Sequence, residues 1–186
     1  DAAGSQGAAS GGKRNLSKGV VVGFSGFRDE DRVKTWKAML ERKLKASVLD
    51  KNAKDISGCT HVVVSRPVTR TAKLCQAISL PAIRLVTDDW VKACESAHSF
   101  VDSKPHELAG EYTSSTAGLW SFNATESRKR ATDSRCLAGH TFFVTPWKEP
   151  KGRYTDEELQ HIVRAGGGEV LEHLPSASSG PVGVVS

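Results

Sequence analysis

The sequence predicts an α/β fold: a four-stranded, mainly parallel sheet flanked by helices, then a linker and a partial second unit built the same way. Three observations predict it. Short apolar runs rich in β-branched residues recur at residues 19–24 (GVVVGF), 60–65 (THVVVS) and 81–86 (PAIRLV). Between and after them lie segments whose apolar residues return every three or four positions. At Leu137 the strand–helix–strand–strand opening starts again, an internal repeat.

Residues 1–17 are Gly, Ala and Ser with one Lys13-Arg14 pair. They hold too little apolar surface to offset the entropy of ordering, so a disordered leader is expected. The first strand at 19–24 is broken by Ser25-Gly26-Phe27, and residues 31–45 read as a helix with Val33, Trp36, Met39, Leu40 and Leu44 on one face. Its other face is basic, and a solvated surface is the ordinary reading of such a stripe. A weaker strand follows at 46–49, a polar connection at 51–58, and the strand at 60–65, which Pro67 stops. Thr69 is placed to cap a helix running through Ile78. After the strand at 81–86, Thr87 is the expected N-cap of a last helix. Asp88 and Asp89 suit its positive end, and Trp90, Val91, Ala93, Cys94 and Ala97 form its buried stripe.

Residues 102–136 are polar and mixed and read as a linker with one short helix. Beyond Leu137, residues 140–145 (HTFFVT) are a strand and 155–164 (TDEELQHIVR) a capped helix that Gly166-Gly167-Gly168 ends. Strands then follow at 169–171 and from Val182. The expected boundaries are a leader at 1–17, a first unit at 18–109, a linker at 110–136 and a partial second unit at 137–186. The second unit stops where the first unit's second helix would begin.

No run approaches the roughly 18 apolar residues of a membrane span, and a signal-peptide core is absent, so a soluble intracellular chain is expected. The four cysteines are scattered without a C-x-x-C pair, and the six histidines show no metal spacing, which points to reduced structural thiols and no metal site. His61 and His140 read as structural histidines and Trp90 as a core anchor. No P-loop, nucleophile elbow or dinucleotide fingerprint is present, so neither catalysis nor a cofactor is expected. A net charge of +5 favours acidic partners without choosing among them.

The segment GCTH at 58–61 leading into VVVS, then TRTAKLCQAI, then IRLVTDDWVKAC, resembles a BRCT domain. CLAGHTFFVTP and AGGGEVL resemble the start of a second BRCT repeat. LWSFNATESRKRA is similar to the linker of tandem BRCT pairs in DNA-damage mediator and transactivation-domain-interacting scaffolds. The resemblance implies a four-stranded parallel sheet with helices on both faces in each repeat, and repeats packed through helices. It also implies a phosphoserine or phosphothreonine pocket in the first repeat, made by a Ser/Thr-Gly pair after the first strand and a Lys in the second helix. Ser25, Gly26 and Lys73 occupy those phosphate-binding positions. Arg70, three residues before the Lys, would contact the peptide, with Thr71 between the two cations.

The chemistry of these residue types agrees. A phosphate dianion accepts from a hydroxyl, a backbone N–H and an ammonium, each bond charge-assisted, and Gly26 leaves its N–H open to close approach. Two departures stand out. The first helix ends in Lys43-Leu44-Lys45-Ala46 where the family has a Gly-Gly turn, and the second unit lacks the later helices that complete the inter-repeat groove. The expected function is a non-catalytic phosphopeptide-binding module of a nuclear scaffold, in DNA-damage, chromatin or kinetochore assemblies, with a phosphorylated protein as partner. The alternative is a BRCT module that binds DNA weakly and non-specifically through the basic face of its first helix.

Overall fold

Val22, Val62, Val63 and Val64 are wholly buried, so the central strands are covered on both faces, as continuous β-branched runs require. The computed structural model describes residues 19–114, 118–146, 154–174 and 183–185. The leader expected at 1–17 lies outside them.

In the first unit β1 (Val21–Ser25) pairs in parallel with β2 (Ser47–Val48) and β3 (His61–Val64), and β4 (Arg84–Thr87) pairs with β3, giving the order β2-β1-β3-β4. Helices α1 (Glu30–Arg42) and α3 (Asp88–Ala97) supply one apolar layer: Trp36, Met39, Leu40, Trp90 and Cys94 pack on Val22, Val63 and Val86. Helix α2 (Ala72–Ser79) supplies the other, with Leu74 and Ala77 against Val62, Val64 and Leu85. The four-stranded parallel sheet between helical layers is the architecture expected from the sequence.

Trp90 anchors the first layer as expected. Its indole N–H donates to the Val101 carbonyl at 3.2 Å, and its ring stacks on His61 at 4.4 Å. His61 is a structural histidine here, its Nδ1 2.9 Å from the Thr60 hydroxyl. All four cysteines are free, with Cys59 and Cys94 buried.

The turn after α1 is built differently from the family pattern, and Lys45 is how. It adopts a left-handed conformation at φ 60°, where a side chain is strained and glycine is not. The equivalent turn after α5 (Asp156–Ala165) uses Gly167 at φ 85°.

The expected linker contains the predicted helix, α4 (Ala124–Asp133), and also an antiparallel hairpin of β5 (Ala109–Ser114) and β6 (Gly118–Asn123). The hairpin is tied to the first unit at its base. Leu108 N–H donates to the Leu85 carbonyl at 2.9 Å, Ala124 N–H to the Leu108 carbonyl at 2.8 Å, and both side chains are buried in the α2-side core. In the second unit β7 (Thr141–Val144) pairs in parallel with β8 (Glu169–Leu171) and β9 (Gly183–Val185), in the order β8-β7-β9. This is the β2-β1-β3 arrangement repeated. Helices α4 and α5 both pack on α2, so α2 is the element that joins first unit, connection and second unit. Among the described residues no helix is long and apolar enough to cross a membrane.

Candidate anion-binding site

Parallel pairing of β1 with β3 puts the residue after β1 and the start of the helix after β3 at the same sheet edge, where α/β folds present their ligand sites. Ser25 closes β1 and Thr71 is the N-cap of α2; their hydroxyl oxygens lie 2.5 Å apart. Thr71 Oγ1 also accepts from the Leu74 N–H at 3.1 Å. The sequence pointed to Thr69 as the cap; Thr71 wins because its hydroxyl meets both the helix amide and Ser25. Either hydroxyl can donate to the other, and the arrangement in which Thr71 donates leaves the Ser25 proton free for an anion.

A helix start leaves its first amides without intrahelical acceptors. Here those belong to Ala72 and Lys73, and both residues line the cavity that Ser25, Gly26 and Thr71 also line. Gly26, at φ 81°, has no room for a side chain, since a Cβ would lie 2.6 Å from Ser65 Oγ. The Lys73 ammonium donates to the carbonyls of Lys51 at 2.8 Å and Asp50 at 3.4 Å, and all three residues line the cavity. Burial lowers its pKa, with Cys59 and Asp50 opposing, so the charged form is under-solvated and gains from a nearby anion.

Four of the five residues singled out from the sequence therefore meet at one cavity: Ser25, Gly26, Thr71 and Lys73. Arg70 does not line it. Arg70 faces the second unit, where the Tyr154 hydroxyl donates to its carbonyl at 3.5 Å. Its guanidinium pKa is raised by hydrogen bonding to Cys75, then by the electrostatics of Cys75 and Tyr154.

The cavity, about 450 Å³, has walls that sequence reasoning left out. Lys34 and Lys37 come from α1, Lys51 from the loop after β2, and Glu158 from α5. The basic face of α1 was the available signal for the first two. Glu158 gave none, since only the docking of α5 on α2 brings it there. Its carboxylate closes a capping box with Thr155, accepting from the Thr155 N–H at 2.9 Å, and sits 3.6 Å from Lys54.

A second feature escaped the sequence reading. Thr87 is the N-cap of α3 by position but its side chain makes no capping bond. Asp88 does the tying, with Arg32 at 2.9 Å, Arg66 at 2.7 Å and Lys92 at 2.9 Å. Burial opposes its ionisation, but bonds from Lys92 and Arg66 win and hold its pKa below the ordinary value. Asp88 thus pins α1, the loop after β3 and α3 together.

No family model matches the chain. PAX-interacting protein 1 of Bos taurus is 33% identical over 124 residues, covering 67% of this chain and 12% of the relative. The Mus musculus protein of the same name is 35% identical over 118 residues, covering 63% and 10%. The chain thus spans about a tenth of the length of these curated relatives. Among solved structures, the BRCT5-BRCT6 domains of S. pombe Brc1 superpose with a TM-score of 0.54 at 21% identity, covering 83% of this chain and 66% of that one. The fold is that of a BRCT domain. In BRCT terms the first unit supplies sheet, flanking helices and cavity, and the second supplies α5 and its carboxylate.

Proposed function

We propose that the chain is a non-catalytic module that binds phosphoserine or phosphothreonine peptides and serves in a nuclear scaffold. The observation that carries the reading is the meeting of Ser25, Gly26, Thr71 and Lys73 around one cavity at the start of α2. The donors there match a phosphate dianion, with a hydroxyl proton, the amides of a helix start and an under-solvated ammonium. Charge-assisted bonds of about 1.5–3 kcal/mol each, less the cost of ordering a peptide, lead to micromolar affinity. Arg70, outside the cavity and beside Tyr154, is placed for the peptide where it passes the second unit. The similarity to proteins named for interacting with PAX supports a role in protein assembly, and a DNA-damage or chromatin setting follows from the BRCT resemblance.

The DNA reading has less support. On α1, Lys34 bridges Asp31 at 3.0 Å, Lys37 bridges Glu41 at 3.8 Å and Arg32 is engaged by Asp88, which halves the charge that face offers a phosphate backbone.

Fluorescence anisotropy with a phosphoserine peptide library and its unphosphorylated twin tests the reading. Phosphorylated peptides are expected to bind with micromolar Kd, and Lys73→Ala or Ser25→Ala to weaken them tenfold or more while melting curves hold. Equal binding of both libraries, or indifference to both substitutions, overturns it. A labelled DNA duplex titrated at two salt concentrations checks the alternative, which requires affinity that falls steeply with salt.

A further inference from the structure

The cavity shares one residue with the first turn of α5, and an exposed threonine holds that residue in place. Glu158 lines the cavity together with Ser25, Gly26 and Lys73. Its Oε2 accepts from the Thr155 N–H at 2.9 Å and from the Thr155 hydroxyl at 3.1 Å, while its Oε1 lies 3.6 Å from the Lys54 ammonium. A single hydroxyl proton therefore helps to fix this wall, and Thr155, which carries it, is open to solvent.

Thr155 is also the one serine or threonine of the chain followed directly by three acidic residues, Asp156, Glu157 and Glu158. An exposed hydroxyl ahead of an acidic run complements a Ser/Thr kinase whose substrate groove is basic. The run lies in the first turn of α5, the part of a helix that frays and so can enter such a groove. We propose that Thr155 is a phosphoacceptor site and that its phosphorylation weakens anion binding in the cavity through Glu158. The Thr155 hydroxyl oxygen attacks the γ-phosphorus of a nucleoside triphosphate. An O–P bond forms as the bond to the β,γ-bridging oxygen breaks, a nucleoside diphosphate leaves, and the hydroxyl proton passes to the kinase's base.

The consequence is electrostatic. The proton that Glu158 accepts is replaced by a group carrying about −1.5 to −2 charge. A 3.1 Å hydrogen bond becomes a repulsion, and the phosphate competes with Glu158 for Lys54. A helix start favours negative charge, so α5 itself stays helical. The wall is what changes. A carboxylate balanced by Lys54 becomes a net negative cluster, and Glu158 is already among the charges that act on the Lys73 ammonium. The inference rests on the phosphopeptide reading and adds to it a control exerted from the second unit.

The full chain is treated with an acidophilic Ser/Thr kinase and ATP and mapped by tandem mass spectrometry. It is then titrated by anisotropy with a phosphoserine peptide that the untreated chain binds. Thr155→Asn is the control, since Asn keeps an N-cap and offers no hydroxyl. Phosphate is expected on Thr155, with circular dichroism unchanged and the peptide Kd raised about five- to tenfold. Treated Thr155→Asn should keep the Kd of its untreated form. Thr155 left unmodified, while a control peptide of the same acidic pattern is phosphorylated, overturns the acceptor site. Phosphorylated Thr155 with an unchanged Kd, or an equal rise in treated Thr155→Asn, overturns the control and leaves the phosphopeptide reading standing. Binding that ignores phosphate in the untreated chain overturns that reading and the control with it, whereas the mass spectrum decides the acceptor site without any peptide.

Discussion

Ser25 and Thr71 are separated by 46 positions in sequence and by 2.5 Å in space. That contact follows from the parallel pairing of β1 with β3, and Gly26 turns the chain just past it at φ 81°. Replacing Gly26 with alanine puts a methyl 2.6 Å from Ser65 Oγ at a φ of 81° that L-residues seldom adopt. Gly26→Ala is therefore expected to destabilise the chain by about 1–3 kcal/mol and to weaken phosphopeptide binding. Urea denaturation alongside anisotropy checks both. At this scale the sequence was informative for Ser25, Gly26, Thr71 and Lys73, because a turn after a strand and a cap before a helix are local signals. Arg70 stands apart from that cavity, beside Tyr154. Spacing from Lys73 says nothing of which way a side chain turns once α5 has docked alongside.

Elements were legible wherever an apolar period ran long enough. The alternation of strands and helices through Ala97 was visible because the helices bury one apolar face and the central strands are apolar on both. The hairpin β5–β6 was not, since its segment is rich in Ser, Thr and Gly and its anchorage comes from Leu108 and Ala124 on either side. The two equivalent turns test what a missing glycine costs. Lys45 holds a left-handed conformation in the first unit where Gly167 holds it in the second. Lys45→Gly should accordingly raise stability by about 1 kcal/mol, read as a higher urea midpoint with an unchanged slope. Lys45 is exposed, so no lost contact should mask the gain.

Over the whole molecule, His61 sets an acid limit. Burial, and next Arg84, lower the His61 pKa from 6.5 to about 4, with Glu107 opposing. The unfolded chain takes up a proton that the folded chain refuses, so stability falls as pH drops from 6.5 toward 4. Glu107 and Asp88 add their losses as pH falls through the ordinary carboxylate values of 4.5 and 3.8, because bonds to cations keep both ionised at lower pH than usual in the folded chain. From pH 7 to pH 5 the loss assigned to His61 is on the order of 1 kcal/mol, allowing for solvent at its open edge. His61→Phe keeps an aromatic ring against Trp90 and should flatten that slope; urea midpoints of both proteins at the two pH values measure it. None of this coupling was readable from the chain order, since Arg84 and Glu107 meet His61 only through the pairing of β3 with β4 and the return of the chain past β4.

Glu158 starts α5, bridges Lys54 and walls the cavity at once. Docking of the second unit and occupancy of the cavity thus act on the same few atoms, and thermodynamic reciprocity binds them: whatever factor docking imposes on ligand affinity, a bound ligand imposes on docking. The second unit becomes an effector carried in cis. A modification, partner or neighbouring segment that loosens α5 would change how firmly a ligand of the cavity is held without touching Ser25, Gly26, Thr71 or Lys73.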